Sequence, residues 1–221
     1  MVKPIKKKGA RYYPADWLFS SAADAPALKD IQGRQSFISD KKLKLKKTSG
    51  GYVTLGERQV FFIADRLSVQ PGTEEWKFIG RLGTHLQSCF DHLDAAGKKA
   101  LEHLDAVVFA ASDNPAFRSY ADVKPNCYIY DVAEFRYSDG NLVTLAFAAS
   151  NIVHDANHIL MFDQGREHTG LAAERECWGL QIANATALGL AQFEVDYLQG
   201  LIAAPPLNVL ARMEQHPHAF A

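Results

Sequence analysis

The chain predicts an α+β fold. Three observations carry this. Helical and strand-like stretches come in blocks, strand then helices then strands then helices, rather than in regular βαβ alternation. Hydrophobic residues make up 48% of the 221 positions, which is enough for a core in one medium-sized domain. No internal repeat and no low-complexity tract interrupts the chain. Residues 1–50 differ in character from the rest, with "KPIKKKG" and "DKKLKLKKTSGG" and few apolar runs, and read as a basic N-terminal extension. Residues 51–221 then form the α+β domain.

Taken in order, "GYVTLGERQVFFIADRLSV" (51–69) is strand-like, rich in β-branched and aromatic residues and bounded by Gly and Pro. The period then changes. Trp76, Ile79, Leu82, Leu86 and Phe90 fall near one helical face, and Thr73 is placed to cap that helix, with acids in its first turn. Residues 94–104 predict a second short helix, and "DAVVFAA" (105–111) a short buried strand. Residues 112–126 read as loop, marked by Asp, Asn and two prolines. "CYIYDVAEFRY" and "NLVTLAFAA" are two strand candidates joined by "SDG", a hairpin turn by type. Two helices follow. One runs from Ser150 to about Gln164, with Ser150 or Asn151 as cap. The other runs from about Leu171 to Leu190. "QFEVDYLQGLI" is a further helix or a continuation of the second, stopped by "AAPP".

Composition removes several functional classes. A net charge of -1 gives no global pull toward nucleic acid. No apolar run approaches the roughly 18 residues of a membrane span. The N-terminus has lysines but no apolar run after them, so no cleaved secretion signal is visible, and the expectation is a cytoplasmic protein or one exported without such a signal. Cys89, Cys127 and Cys177 are odd in number and far apart, which is neither a disulfide framework nor a CxxC metal knuckle. No Walker A, GxGxxG or GxSxG motif occurs.

One stretch carries chemistry. In "SNIVHDANHILMF" (150–162), His154 and His158 are four apart with Asp155 after the first. Such residues share a helical face with Cβ atoms roughly 5–6 Å apart. Two imidazoles there can converge on one zinc ion at about 2.0–2.1 Å each. An acid after the first histidine suits a base that takes the proton of an attacking water, as in HExxH. Composition alone gives about 0.03 such pairs with an acid in second place, so chance is a poor account. Two histidines in a core or at its rim are the plain alternative. Zinc needs a third protein ligand and an open position for catalysis. Glu174 is favoured for it, because the short "DQGREHTG" connection makes the next helix an antiparallel neighbour and Glu174 shares a face with Cys177, Trp178 and Gln181. Glu176, His168 and Asp163 stay open as substitutes. Tyr197, Tyr120, Tyr128, Arg175 and His168 qualify by type alone as donors to a developing oxyanion.

"AASNIVHDANHI" followed by "ERECWGLQ" resembles the gluzincin-type zincin metallopeptidases, whose pattern is a VHExxH helix and a later helix bearing a ligand Glu. "SYADVKPNCYIYDV" resembles the edge strand that precedes the active-site helix in such domains. The likeness covers roughly residues 105–190. It implies a zincin-like domain with a small sheet packed on the active-site helix, Zn2+ as cofactor, His154, His158 and Glu174 as ligands, Asp155 as catalytic base, Cys177 in the family's small-residue position, and a peptide or protein substrate. The departure is Asp155, where the family has Glu. A side chain shorter by roughly 1.5 Å puts turnover in question more than metal binding. The alternative expectation is a binding or effector module that keeps the zincin fold without catalysis.

Overall fold

The computed structural model describes residues 5–7, 10–14, 48–65, 69–70, 72–110, 119–123 and 126–206. It is a mixed α/β structure built on an open sheet with six helices, consistent with α+β. Most of the predicted N-terminal extension, the greater part of the loop at 112–126, and the last residues, 207–221, lie outside the described residues.

Within the strand-like run at 51–69, residues 51–65 belong to a hairpin. β1 (Ile5–Lys7) and β2 (Ala10–Pro14) precede it, and its arms are β3 (Thr48–Leu55) and β4 (Arg58–Asp65). Gly56 makes the reversal, at φ +60, a left-handed conformation that glycine adopts without steric cost. Chain order continues with α1 (Glu74–Phe90), α2 (Ala95–His103), β5 (Ala106–Ala110), β6 (Tyr120–Asp122) and β7 (Cys127–Asp131). The sheet order is β1-β2-β3-β4-β5-β7-β6. β4, β5 and β7 are mutually parallel neighbours, so one α-helical crossover is present that the block-like pattern did not suggest. β5 and β7 are buried at every position, as expected of central parallel strands.

Both predicted helix starts before β5 hold. Thr73 Oγ1 accepts from Trp76 N at 3.3 Å, and Asp94 accepts from Gly97 N at 2.7 Å. Trp76, Phe78, Ile79, Leu82 and Leu86 of α1 are all fully buried against Phe62, Phe109 and Tyr130 of the sheet. β6 corrects the reading of 112–126 as loop. It pairs antiparallel with β7 (Tyr120↔Ile129) at the sheet edge, a strand too short for composition to reveal.

After β7 a 3-10 turn (Val132–Phe135) replaces the second half of the first strand candidate. The "SDG" turn exists, with Gly140 at φ +85 and Arg136 bridging Leu142, but no strand follows it. "NLVTLAFAA" instead opens α3 (Leu145–Asp163), which begins well before the predicted Ser150. Thr144 Oγ1 caps it by accepting from Phe147 N at 2.9 Å, and Ala146, Ala148 and Ala149 favour helix. Ser150 is interior and bonds back to the Phe147 carbonyl at 2.8 Å.

The long helix expected to Leu190 is two pieces, α4 (Gly170–Ala183) and the single turn α5 (Ala185–Leu188). Asn184 breaks them, its side chain drawn to Asp94 (Nδ2 to Oδ1, 3.1 Å; Asp94 N to Oδ1, 2.9 Å). Gly189, at φ +79, then separates α6 (Gln192–Ala203) as a helix of its own. No described helix is long and apolar enough to cross a membrane.

Candidate metal centre

α3 is apolar over most of its circumference. Ala148, Ala149, Ile152, Val153, Ala156 and Ile159 are fully buried in the main core. The stripe carrying Asn151, His154 and His158 faces α4. The connection ends α3 tightly. Gly165 sits at φ +65, Gly165 N donates to Phe162 O and Arg166 N to Met161 O, both at 2.9 Å. This is a Schellman closure, which satisfies the last carbonyls and reverses the chain. α4 then runs back along α3: Gln181 meets Ser150 and His154, Glu174 meets His158, and Ala173 meets Met161.

The structure brings His154, His158 and Glu174 together. His154 Nε2 lies 3.1 Å from Glu174 Oε2, His158 Nε2 lies 3.3 Å from Glu174 Oε1, and the two Nε2 atoms are 3.1 Å apart. Ligand atoms on a tetrahedral ion with bonds of about 2.0 Å lie about 3.3 Å from one another. All three side chains are enclosed, with His154 the most open at 13% and Glu174 and His158 at 5% and 2%. Cys177, fully buried, joins them: its sulfur and the histidine nitrogens lie within 4.8 Å of one another. Asn157 Nδ2 donates to that sulfur at 3.4 Å.

Each ring's far nitrogen is engaged. His154 Nδ1 is 3.0 Å from Gln181 Oε1, and His158 Nδ1 is 2.7 Å from the His168 carbonyl. Carbonyl oxygens only accept, so both Nδ1 atoms carry a proton, and both Nε2 atoms face the shared space. Two neutral rings would aim lone pairs at each other and at a carboxylate. That arrangement needs a positive centre, a proton or a cation.

Without metal, protons fill that role. Burial opposes charge on His154, but the Cys177 sulfur and the Glu174 carboxylate outweigh it and push it up to about 9. His158 is raised well above its ordinary value by the same two neighbours against the same burial. Burial would raise Glu174, yet hydrogen bonds and charge from His154 and His158 pull it down to about 2. Half-buried Asp155 is pushed up to about 7 by burial, partly opposed by His154 and His158.

The other candidates are elsewhere. Glu176 is exposed and bonds Arg166 through its carboxylate at 2.5 Å. Asp163 pairs with His103 at 2.8 Å. His168 contributes its backbone carbonyl, while its ring packs edge-on to Phe162. Among the type-only oxyanion donors, Tyr197 is 55% exposed beside Phe147, Arg175 donates to the Ile202 carbonyl, and Tyr128 and Tyr120 are buried in the sheet. The sequence does not single out Gln181, which the structure places against His154; its spacing from Glu174, two turns along the same face of α4, is the available signal. No protein-family model, curated protein or solved structure matches this chain.

Proposed function

We propose that the protein is a zinc-dependent hydrolase with a zincin-like domain, acting most naturally on peptide bonds. The observation that carries this reading is the convergence of two Nε2 atoms and a carboxylate at 3.1–3.3 Å, with both Nδ1 atoms engaged by carbonyl oxygens. Two imidazoles and one carboxylate suit zinc and leave a position for substrate or water. The antiparallel edge strand β6 and its place beside α3 support the zincin-like reading. When bound, zinc would polarise a carbonyl and acidify water. His154, His158 and Glu174 would hold the ion, and Cys177, packed with Met161 and Ala173, lies beside them. Asp155 follows His154 in the chain, and burial pushes its carboxyl up to about 7, so it would be the group to take a proton from the attacking water.

The test is metal content followed by cleavage. Protein purified without chelator and offered zinc is expected to hold one ion per chain by mass spectrometry and to cleave members of a peptide library until chelator is added. Less than about a tenth of an ion per chain sinks the proposal. Asp155→Asn is expected to keep zinc and lose roughly 10²–10⁴-fold in rate, the usual worth of a general base.

A second reading has its own observation. Cys177 lies close enough to both histidines to serve as a ligand, and the acid after His154 is the shorter Asp. Four protein ligands would close the site, giving a binding or effector module without turnover. Cobalt substitution separates the two. An intense thiolate-to-cobalt band with no cleavage supports the module, whereas cleavage without that band supports the hydrolase.

A further inference from the structure

We propose that Gln181 is the positioning residue of His154, fixing which ring nitrogen is left bare toward the shared space. The inference deepens the metal-centre reading and rests on it for its consequence, though the geometry behind it stands alone.

The direction of the Gln181 amide follows from one hydroxyl. Ser150 is fully buried, and its Oγ gives its only proton to the Phe147 carbonyl at 2.8 Å. Toward Gln181, 2.8 Å away, Ser150 therefore offers lone pairs alone. The Gln181 atom facing it has to be the amide nitrogen. The second hydrogen of that nitrogen goes to Asn151 Oδ1 at 3.1 Å, and Asn151 in turn donates to the Tyr130 hydroxyl at 3.3 Å. The amide oxygen is left facing His154 Nδ1 at 3.0 Å, where it can only accept. His154 is thereby held with its proton on Nδ1 and its Nε2 lone pair turned to His158 and Glu174.

His158 has the same arrangement built from main chain, the His168 carbonyl, which no side-chain substitution removes. His154 is the more open ring and has no carbonyl of that kind, so a side chain does the work. Gln181 is 1% exposed; its two amide hydrogens go to Ser150 and Asn151, and its oxygen accepts from His154. A glutamine that merely filled a polar gap between α3 and α4 would leave the ring's tautomer to chance.

The experiment uses the full chain labelled with ¹⁵N-histidine and offered zinc, which would supply the positive centre that both Nε2 atoms face. Zinc affinity is measured separately by competition with a chelator. The wild type is expected to show His154 protonated at Nδ1. Gln181→Leu is expected to mix the two tautomers and to weaken zinc roughly 10–100-fold, the usual cost of losing an outer hydrogen-bond partner. Gln181→Glu keeps an acceptor for His154 but cannot donate to Ser150. It is therefore expected to lower the melting temperature while zinc affinity holds or rises. A structural role would instead make affinity fall along with stability. A wild-type His154 protonated at Nε2 overturns the proposal, and so does a Gln181→Leu protein with unchanged tautomer and affinity. A wild type that is protonated at Nδ1 yet binds no zinc leaves the proposal standing and removes the metal-centre reading alone.

Discussion

Glu174 bridges His154 and His158 from a buried position, so its removal has two consequences. Glu174→Ala takes away a proposed ligand and also leaves two rings that favour protonation without their counter-charge. Zinc affinity is predicted to fall by more than the roughly 100-fold that an outer partner costs, measurable by chelator competition. The same residues set a pH signature for chelated protein. His154, with its folded value raised from 6.5 to about 9, contributes stability in full below pH 6.5 and loses it as pH rises through about 9. Glu174, lowered from 4.5 to about 2, contributes above pH 4.5 and loses it as pH falls through about 2. Chelated protein is therefore predicted to melt at progressively lower temperature from pH 6.5 to 9. Zinc requires deprotonated ligands, so the rise in melting temperature on adding zinc should grow across that same interval. A chelated melting temperature that stays level or climbs between pH 6.5 and 9 contradicts the assignment.

Elements are held around the centre by a few polar locks rather than by core packing alone. Glu194 of α6 is 1% exposed and takes hydrogen bonds from Thr144 Oγ1 (2.6 Å) and Tyr137 Oη (2.8 Å), while its other oxygen accepts from Ala191 N (2.8 Å). Burial and the Glu194 hydrogen bond push Tyr137 up to about 12, so this phenol stays a donor at ordinary pH. Thr144 thus has two duties, capping α3 and tethering α6. Thr144→Ala removes a cap worth about 1 kcal/mol and one donor to a buried carboxylate worth about 1–3 kcal/mol. A loss of about 2–3 kcal/mol in urea unfolding is predicted, with Thr144→Ser retaining most of it. Zinc affinity should change little, because Thr144 is nearly three helical turns from His154. A large drop in affinity would mean that the start of α3 also governs the centre.

At the scale of the whole molecule, the centre joins α3, which is rooted in the main core, to α4, which meets that core through Leu180 and otherwise packs beside it. α4 is held by Ala173 and Cys177 against Met161, by Gln181 to Ser150 and Asn151, by Trp178 against Leu198 and Leu201, and by Arg175 to the Ile202 carbonyl. An ion shared by both helices should therefore stabilise the whole fold. At a free zinc level a thousandfold above Kd, linkage gives about 4 kcal/mol. For a chain of this size that corresponds to a rise of roughly 8–16 °C in melting temperature, reversed by chelator. A shift of less than about 2 °C under saturating zinc would show that the two helices do not share an ion.

The sequence by itself determined the local features whose signals are short in range. The i,i+4 histidines, the cap at Thr73, the buried strand at β5 and the face shared by Glu174 and Cys177 follow from spacing and side-chain chemistry. Local pattern misled where two structures share one signature. The alternating residues of "NLVTLAFAA" suit a strand, yet its alanines and the Thr144 cap make the first turns of α3. The continuous helical period across 171–190 hides a break at Asn184, whose side chain is tied to Asp94, ninety residues earlier. Tertiary structure decided the rest. It selected Glu174 over Glu176 by turning one to His158 and the other to Arg166. It also brought Gln181 to His154, because hydrogen-bond partners across two antiparallel helices are set by how the helices pack, which spacing along one of them does not encode.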